Sequence, residues 1–167
     1  GLTPDIESKF ADAAIEFISR KSTKPYFLQV NFTAPHDPLL NPPDWEDTYT
    51  AKDMPLPENF RAKHPFDHGN FSGRDEMLNP WPRKKKDIQR DLVTYYRVIS
   101  YMDQQIGRIL DALKQTDPEL NNTVIIFTSD HGLALGSHGL MGKQNMYEHT
   151  IGIPLLFTGA NIPRGEQ

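Results

Sequence analysis

Residues 123–132 of this chain read TVIIFTSDHG, an apolar run that leads directly into a carboxylate, an imidazole and a glycine. The β-branched and aromatic side chains predict a β-strand at 123–128. In open α/β sheets, ligands bind at the carboxyl ends of the strands. Gly132 lets the backbone turn away at once, in conformations that other residues avoid. We therefore expect Asp130 and His131 to lie in a ligand site at the edge of a sheet.

Helical and strand patterns alternate along the rest of the chain. Thr3 is placed to cap a first helix, and residues 26–32 are interpreted as a buried strand. A long second helix is predicted from Asp87, where apolar residues recur at helical spacing, and a further strand is predicted at 153–157. This order predicts one α/β domain over residues 1–167, with a mostly parallel sheet sandwiched by helices.

Residues 39–86 show no regular pattern, although they hold many of the prolines and both tryptophans. A stretch of this length without secondary structure is usually functional or disordered. Its aromatic side chains favour an ordered loop region that packs on a surface and shapes a substrate pocket. The basic run at 83–86 is interpreted as the solvated start of the next helix, with local attraction for an anionic substrate as the alternative.

The composition excludes several classes of function. A formal net charge of −4 gives no overall attraction to nucleic acid or to an anionic membrane, so neither is expected as a partner. Cysteine is absent, which excludes disulfides and thiolate metal sites. No apolar run approaches the ~20 residues that cross a bilayer. Because the chain starts at Gly1 without an initiator methionine, we expect it to be a fragment of a larger domain.

Ionisable residues follow two of the predicted strands. His36 and Asp37 come after the first of these strands, and Asp130 and His131 come after the strand at 123–128. If these strands are parallel, both clusters open on the same edge of the sheet. Lys143 follows in a glycine-punctuated loop, where its ammonium group suits an anionic oxygen. We expect Asp37 to serve only as a turn residue.

Each candidate also has a purely structural interpretation. Asp130 would cap the next turn, His131 would be a buried histidine and Lys143 a surface lysine. His36 would merely pack in its loop. For His138 two interpretations stay open: it lines the site, or it is only part of the glycine-rich loop. Taken together, two histidines, a carboxylate and a lysine suit hydrolysis of a tetrahedral oxyanion ester, with a metal and a lysine stabilising negative charge and a histidine protonating the leaving oxygen. A recognisable nucleophile signature is absent.

Several motifs resemble those of one known family, the sulfatases of the alkaline-phosphatase-like superfamily. The motifs, which together are specific, are APHDP at 34–38, YMDQQIGR at 101–108, NTVIIFTSDHG at 122–132, LGSHG at 135–139, GK at 142–143 and IPL at 153–155. The resemblance covers most of the chain apart from the variable region 39–86. It implies an alkaline-phosphatase-like α/β fold, and it implies that this chain is the later part of a sulfatase catalytic domain.

The resemblance also implies roles for single residues. Asp130 and His131 match metal-binding positions, and Lys143 matches the lysine that binds the sulfate group. His36 matches the histidine that contacts the sulfate and helps to protonate the leaving alcohol, and His138 is a further candidate for substrate binding. The family's cation is usually calcium, but calcium prefers oxygen ligands, so the nitrogen of His131 leaves the metal's identity open.

The family's nucleophile is a formylglycine, made from a Cys/Ser-x-Pro-x-Arg signature that these residues lack. We expect the nucleophile to lie in an upstream part of the catalytic domain and the isolated fragment to be inactive. The expected substrate is a small-molecule or glycan sulfate ester, and family members are commonly periplasmic or extracellular. Two alternatives stay open: a phosphonate or phosphate monoester hydrolase of the same superfamily, and a non-catalytic relic that binds a metal or a glycan.

Overall fold

The computed structural model describes residues 3–42, 44–163 and 165. Their helices and strands, in chain order, are α1 (Ile6–Ile18), two 3₁₀ turns (Ala51–Asp53 and Glu76–Leu78), α2 (Lys85–Thr116), β1 (Val124–Thr128), α3 (Glu148–Ile151) and β2 (Leu155–Gly159). Most of the region 39–86 is irregular, as predicted. None of the helices in these described ranges is long and apolar enough to span a membrane.

Helix α2 is the longest element and confirms the helix predicted from Asp87. It begins two residues earlier, at Lys85, and its 32 residues make about nine turns. Ile88, Leu92 and Leu113 belong to its apolar stripe and are buried. The acidic residue of its first turn and the basic residue of its last turn, Lys114, complement the helix dipole.

Helix α1 begins later than its sequence predicts. Thr3 does not cap it; Asp5 occupies the N-cap position and makes no side-chain capping bond. The hydroxyl oxygen of Thr3 instead accepts a hydrogen bond from the ammonium of Lys9 (3.4 Å). The carbonyl of Thr3 accepts the amide N–H of Ile6 (3.0 Å), which closes a turn ahead of the helix.

Strands β1 and β2 pair with each other in a two-stranded sheet. The hydroxyl of Thr128, at the end of β1, donates to the carbonyl of Pro154, just before β2 (2.9 Å). The amide of Ala160, just after β2, donates to the carbonyl of Thr123 (2.8 Å). The two strands are therefore antiparallel, although a mostly parallel sheet was expected. Their connection, residues 129–154, contains only the four-residue helix α3 and lacks the long crossover helix typical of a parallel pair.

The strand predicted at 26–32 is not formed in the described part of the chain. These residues form no ladder, and Phe27 is 85% exposed rather than buried. A strand needs hydrogen bonds to a neighbouring strand, and within the described ranges residues 26–32 have none. The prediction of a buried strand in this segment is therefore wrong.

The chain divides into two compact units. The first contains the described residues up to Thr48, Thr94–Ile125 and those from Phe157 onward. Within it, Arg108 of α2 forms an ion pair with Asp12 of α1. The second unit contains Tyr49–Val93 and Ile126–Leu156. All of the predicted site residues except His36 belong to this second unit.

Candidate active site

Asp130 and His131 lie directly after β1, where the backbone leaves the strand. The amide of His131 donates to Oδ1 of Asp130 (3.0 Å), and the hydroxyl of Ser129 donates to the carbonyl of His131 (3.0 Å). These local bonds hold the two side chains next to each other, with Oδ2 of Asp130 3.5 Å from Nε2 of His131. The Asp130 side chain is 84% exposed and the His131 side chain 30% exposed. The pair is therefore accessible to a ligand.

The carboxyl group of Asp130 is held in its ionised form. Partial desolvation by itself would raise its pKa, but the charge of His131, the backbone N–H groups of Asp130 and His131 and the charge of Lys143 together lower the pKa below its ordinary value. An ionised carboxylate is the form that a metal ion requires.

The donor set of Asp130 and His131 fits two positions around one divalent cation. Nδ1 of His131 lies 3.1 Å from the carbonyl of Gly132. If that nitrogen donates its proton, Nε2 keeps a lone pair for a metal. Two ligand atoms at ~2.4 Å from one ion and about at right angles are ~3.4 Å apart, close to the observed 3.5 Å. The described residues contain no cluster of three or more side chains placed to hold a metal, so this pair by itself does not complete a coordination shell.

The loop that carries Lys143 is tightly structured. Its backbone is hydrogen-bonded within the loop. The amide of Gly136 donates to the carbonyl of Leu140 (2.7 Å), and the amide of Ala134 donates to the carbonyl of Gly142 (3.1 Å). Leu140 is fully buried and Met141 nearly so. This glycine-punctuated segment was predicted to be a loop, and the structure shows a loop that is hydrogen-bonded within itself and partly buried, with Lys143 at its end.

Two carboxylates from the irregular region lie against this loop. Both oxygens of Glu76 accept hydrogen bonds from the amide of Met141, and Oε1 also accepts the amide of Gly142 (2.9 Å). Oδ2 of Asp75 accepts the side-chain amide of Gln144 (2.7 Å) and lies 3.8 Å from Nζ of Lys143. Asp75 and Glu76 are 2% and 1% exposed. Their burial beside the site was not predicted from the sequence.

Arg83 shows why the interpretation of the basic run 83–86 needs correction. Lys84, Lys85 and Lys86 are exposed, as predicted, but the side chain of Arg83 is fully buried. Its guanidinium forms an ion pair with Glu76 (2.6 Å). It also donates to the backbone carbonyls of residues 76, 79 and 139. Arg83 is therefore the counter-ion of a buried carboxylate, and neither solvent nor an anionic substrate is its partner.

His138 lies in the same unit but is engaged in the loop itself. It has a positive φ of 54°, and its ring stacks on Tyr147 with centroids 4.1 Å apart. Its backbone amide donates to the carbonyl of Asn59 (3.0 Å), and its carbonyl lies 3.1 Å from Nδ1 of His64. These contacts give His138 a structural role. Its predicted contact with a substrate stays a prediction.

His36 lies in the first unit, in the turn at residues 33–38, where its amide donates to the carbonyl of Thr33 (2.9 Å). Its Nδ1 lies 2.7 Å from the carbonyl of Asp37 and 3.4 Å from Oδ1 of the same residue. The turn is held from α1, because Oε1 of the buried Glu7 accepts the hydroxyl of Thr33 (2.5 Å) and the amide of Ala34 (2.9 Å). The convergence of His36 with the residues of the second unit stays a prediction.

The chain belongs to the sulfatase family, whose model matches residues 5–166. It is 34% identical over 156 residues to an arylsulfatase of Clostridium perfringens, an alignment that covers 92% of this chain and 32% of the relative. It is 29% identical over 177 residues to a sulfatase of Formosa agariphila, with 99% of this chain and 33% of the relative covered. The chain thus spans about a third of the length of these relatives. The predicted family is confirmed.

The fold is shared with solved structures of the same superfamily. The chain superposes on a phosphonate monoester hydrolase of Silicibacter pomeroyi with a TM-score of 0.79, at 22% identity, over 98% of this chain and 35% of that one. The predicted α/β, alkaline-phosphatase-like fold class is confirmed. The chain corresponds to about a third of the solved hydrolase chain and is thus part of a larger domain.

Proposed function

We propose that this chain supplies part of the active site of a sulfuric ester hydrolase. The observation that carries the proposal is the grouping of three residues within one compact unit: Asp130 and His131, whose side chains lie 3.5 Å apart just after β1, and Lys143, which ends the loop that follows them. Membership of the sulfatase family supports sulfate as the oxyanion. The chemistry of the group suits an anionic ester, because a cation-binding pair lies near a fixed positive charge.

In this proposal Lys143 binds the ester oxygens, and Asp130 and His131 hold a divalent cation. A cation bound there would offset the negative charge of the transferring group. Calcium is the cation implied by the family resemblance, although the imidazole of His131 suits a softer metal better. Asp130, being ionised without a metal, has no proton to release before binding.

His36 is proposed to donate a proton to the leaving alcohol oxygen. Its turn is held by Glu7, which fixes the backbone on which the imidazole stands. A histidine suits this task because its ordinary pKa lies near neutrality. His138 is proposed to line the substrate pocket through the edge of its stacked ring, and the aromatic residues of region 39–86 are proposed to contact an aryl or sugar ring of the substrate.

The nucleophile and the remaining metal ligands are proposed to come from the rest of the same catalytic domain. Apolar side chains on both strands support this, because Ile126, Leu155 and Leu156 are 57%, 60% and 61% exposed. Large apolar patches on a soluble protein usually mark a surface that another element covers. We expect the covering segment to contain the formylglycine. A fragment limited to residues 1–167 should therefore release no more sulfate than its own Lys143→Ala variant.

The closest competing function is hydrolysis of a phosphonate or phosphate monoester. The solved phosphonate monoester hydrolase favours it, but at 22% identity that likeness supports the fold alone. Sulfate, phosphate and phosphonate esters of one aryl alcohol, assayed in parallel on the full-length protein, separate the two. A higher kcat/KM for the sulfate ester supports the proposal. A higher value for either phosphorus ester overturns it, and turnover of none of the three would indicate a binding relic.

A further inference from the structure

Two buried carboxylates, Asp75 and Glu76, pack against the loop that carries Lys143, and the proposed reaction gives neither of them a role. Asp75 and Glu76 come from the irregular region of the second unit and are almost completely buried. Burying an ionised carboxylate is costly unless it is paired and hydrogen-bonded. The burial of two adjacent acids therefore has to be compensated by their partners. Together, the two acids accept hydrogen bonds from the residues on either side of Lys143.

Glu76 fixes the backbone just before Lys143. It accepts the amides of Met141 and Gly142 at 2.9–3.2 Å, and Arg83 neutralises its charge from the other side. A Cβ atom at Gly142 would lie 2.7 Å from Oε1 of Gln144, 2.9 Å from Cβ of Asp75 and 3.2 Å from Oε1 of Glu76. Any side chain at this position would therefore have to displace Gln144 and Asp75.

Asp75 acts on the side chain of Lys143 rather than on its backbone. Its Oδ1 accepts the guanidinium of Arg74 (2.7 and 2.9 Å), and its Oδ2 accepts Gln144 (2.7 Å) and attracts Nζ of Lys143 at 3.8 Å. Desolvation would raise the pKa of Asp75, but the bonds from Gln144 and Arg74 and the charge of Lys143 lower it overall. The carboxylate is therefore ionised close to the ammonium group of Lys143, whose side chain as a whole is 17% exposed.

We propose that Asp75 and Glu76 are positioning residues that hold the ammonium of Lys143 at one place for binding the ester anion. This rests on the proposed function of Lys143. Glu76 sets the backbone before Lys143, and the carboxylate of Asp75 attracts the ammonium from 3.8 Å. A misplacement of ~1 Å in such a group costs about 100-fold in rate.

The test is a double-mutant cycle between Asp75 and Lys143 in the full-length protein. Asp75→Asn keeps the size of the side chain and an acceptor but removes the charge. We expect it to lower kcat/KM for an aryl sulfate by about 10- to 100-fold, and to have no further effect in a Lys143→Ala background. Asp111→Asn is the matched control, because Asp111 also lies 3.8 Å from a lysine, Lys114, but at an exposed site.

A second readout does not depend on catalysis. The rate at which an acylating reagent labels Lys143, followed by peptide mass spectrometry with Lys114 as internal reference, should rise several-fold in Asp75→Asn. If the wild-type protein hydrolyses no sulfate ester, the proposed function fails, and the labelling still decides whether Asp75 holds Lys143. If Asp75→Asn does not fold, Gln144→Ala removes one partner of Asp75 from an exposed position and should produce the same labelling change to a smaller degree.

Two results would overturn the inference. One is a labelling rate of Lys143 that is unchanged in the folded variant. The other is an equal loss of kcat/KM from Asp75→Asn with and without Lys143, because additivity means that Asp75 does not act through the lysine. A change in thermal stability alone, with kcat/KM and labelling unaltered, would likewise assign Asp75 a merely structural role.

Discussion

Replacing Glu76 by glutamine should destabilise the protein severely, because it leaves Arg83 as an unpaired buried charge. The two side chains are 2% and 0% exposed, and Oε2 of Glu76 lies 2.6 Å from Nη2 of Arg83. Desolvation lowers the pKa of Arg83, and the charge of Glu76 acts in the opposite direction. Without that carboxylate, the desolvation of the guanidinium is no longer compensated.

The size of the effect follows from the loss of one partner of a buried pair, which costs about 3–5 kcal/mol. We expect the upper part of this range, because Glu76 also accepts the amides of Met141 and Gly142. The side-chain NH₂ of a glutamine would face either one of those backbone amides or the guanidinium of Arg83. Both are hydrogen-bond donors, so neither could accept a hydrogen bond from it. The matched control is Glu16→Gln, whose exposed pair with Arg20 at 2.9 Å is worth at most ~1 kcal/mol.

The measurement is urea denaturation of the full-length protein, followed by tryptophan fluorescence. Trp81 is a local reporter, because the guanidinium carbon of Arg83 lies 3.5 Å from the centre of its ring. The double variant Glu76→Gln/Arg83→Gln should lose less than the sum of the two single variants. A loss from Glu76→Gln no larger than that from Glu16→Gln would refute the reasoning that the pair is buried and essential.

Two further predictions concern stability. Burial raises the pKa of Asp91, so its ionised form is penalised in the folded state. The stability that protonated Asp91 contributes is therefore lost as the pH rises past the ordinary carboxyl range. Asp91→Asn, which keeps an acceptor for Asn79, should be more stable than wild type at pH 7, and the difference should vanish on acidification. A pH-independent difference in urea denaturation would contradict this. Glu7→Ala removes the acceptor for the amide of Ala34 and should cost about 1–3 kcal/mol, against a negligible change for Glu16→Ala on the exposed side of the same helix; equal losses would argue against the role of Glu7.

The local patterns of the chain predict what is local in the fold. Apolar spacing placed α2 to within two residues at its start, and β-branched residues placed β1. The strand β2 was predicted two residues early, because Ile153 and Pro154 continue the apolar pattern although the ladder begins at Leu155. The segment 26–32 failed for a different reason, since strand pairing depends on a partner that its own residues do not specify.

The candidate site could be predicted only in part. Asp130, His131 and Lys143 could be singled out as candidates because they follow a strand and a run of glycines, both visible in the sequence. Asp75, Glu76 and Arg83 were missed because they lie in an irregular region, where no periodicity shows which charges are buried. The amide of Gly142, just before Lys143, donates to Glu76, and no local pattern in the sequence indicates a partner so far away in the chain.

Asp130, His131 and Lys143 are proposed to bind and polarise a sulfate ester. The decisive experiment measures sulfate release from an aryl sulfate by the full-length protein, before and after chelation and with divalent cation restored. We expect metal-dependent release that falls by at least ~100-fold in Asp130→Asn and in Lys143→Ala and is unchanged in Lys114→Ala. Release that is indifferent to chelation, or that survives both substitutions, would contradict the proposal.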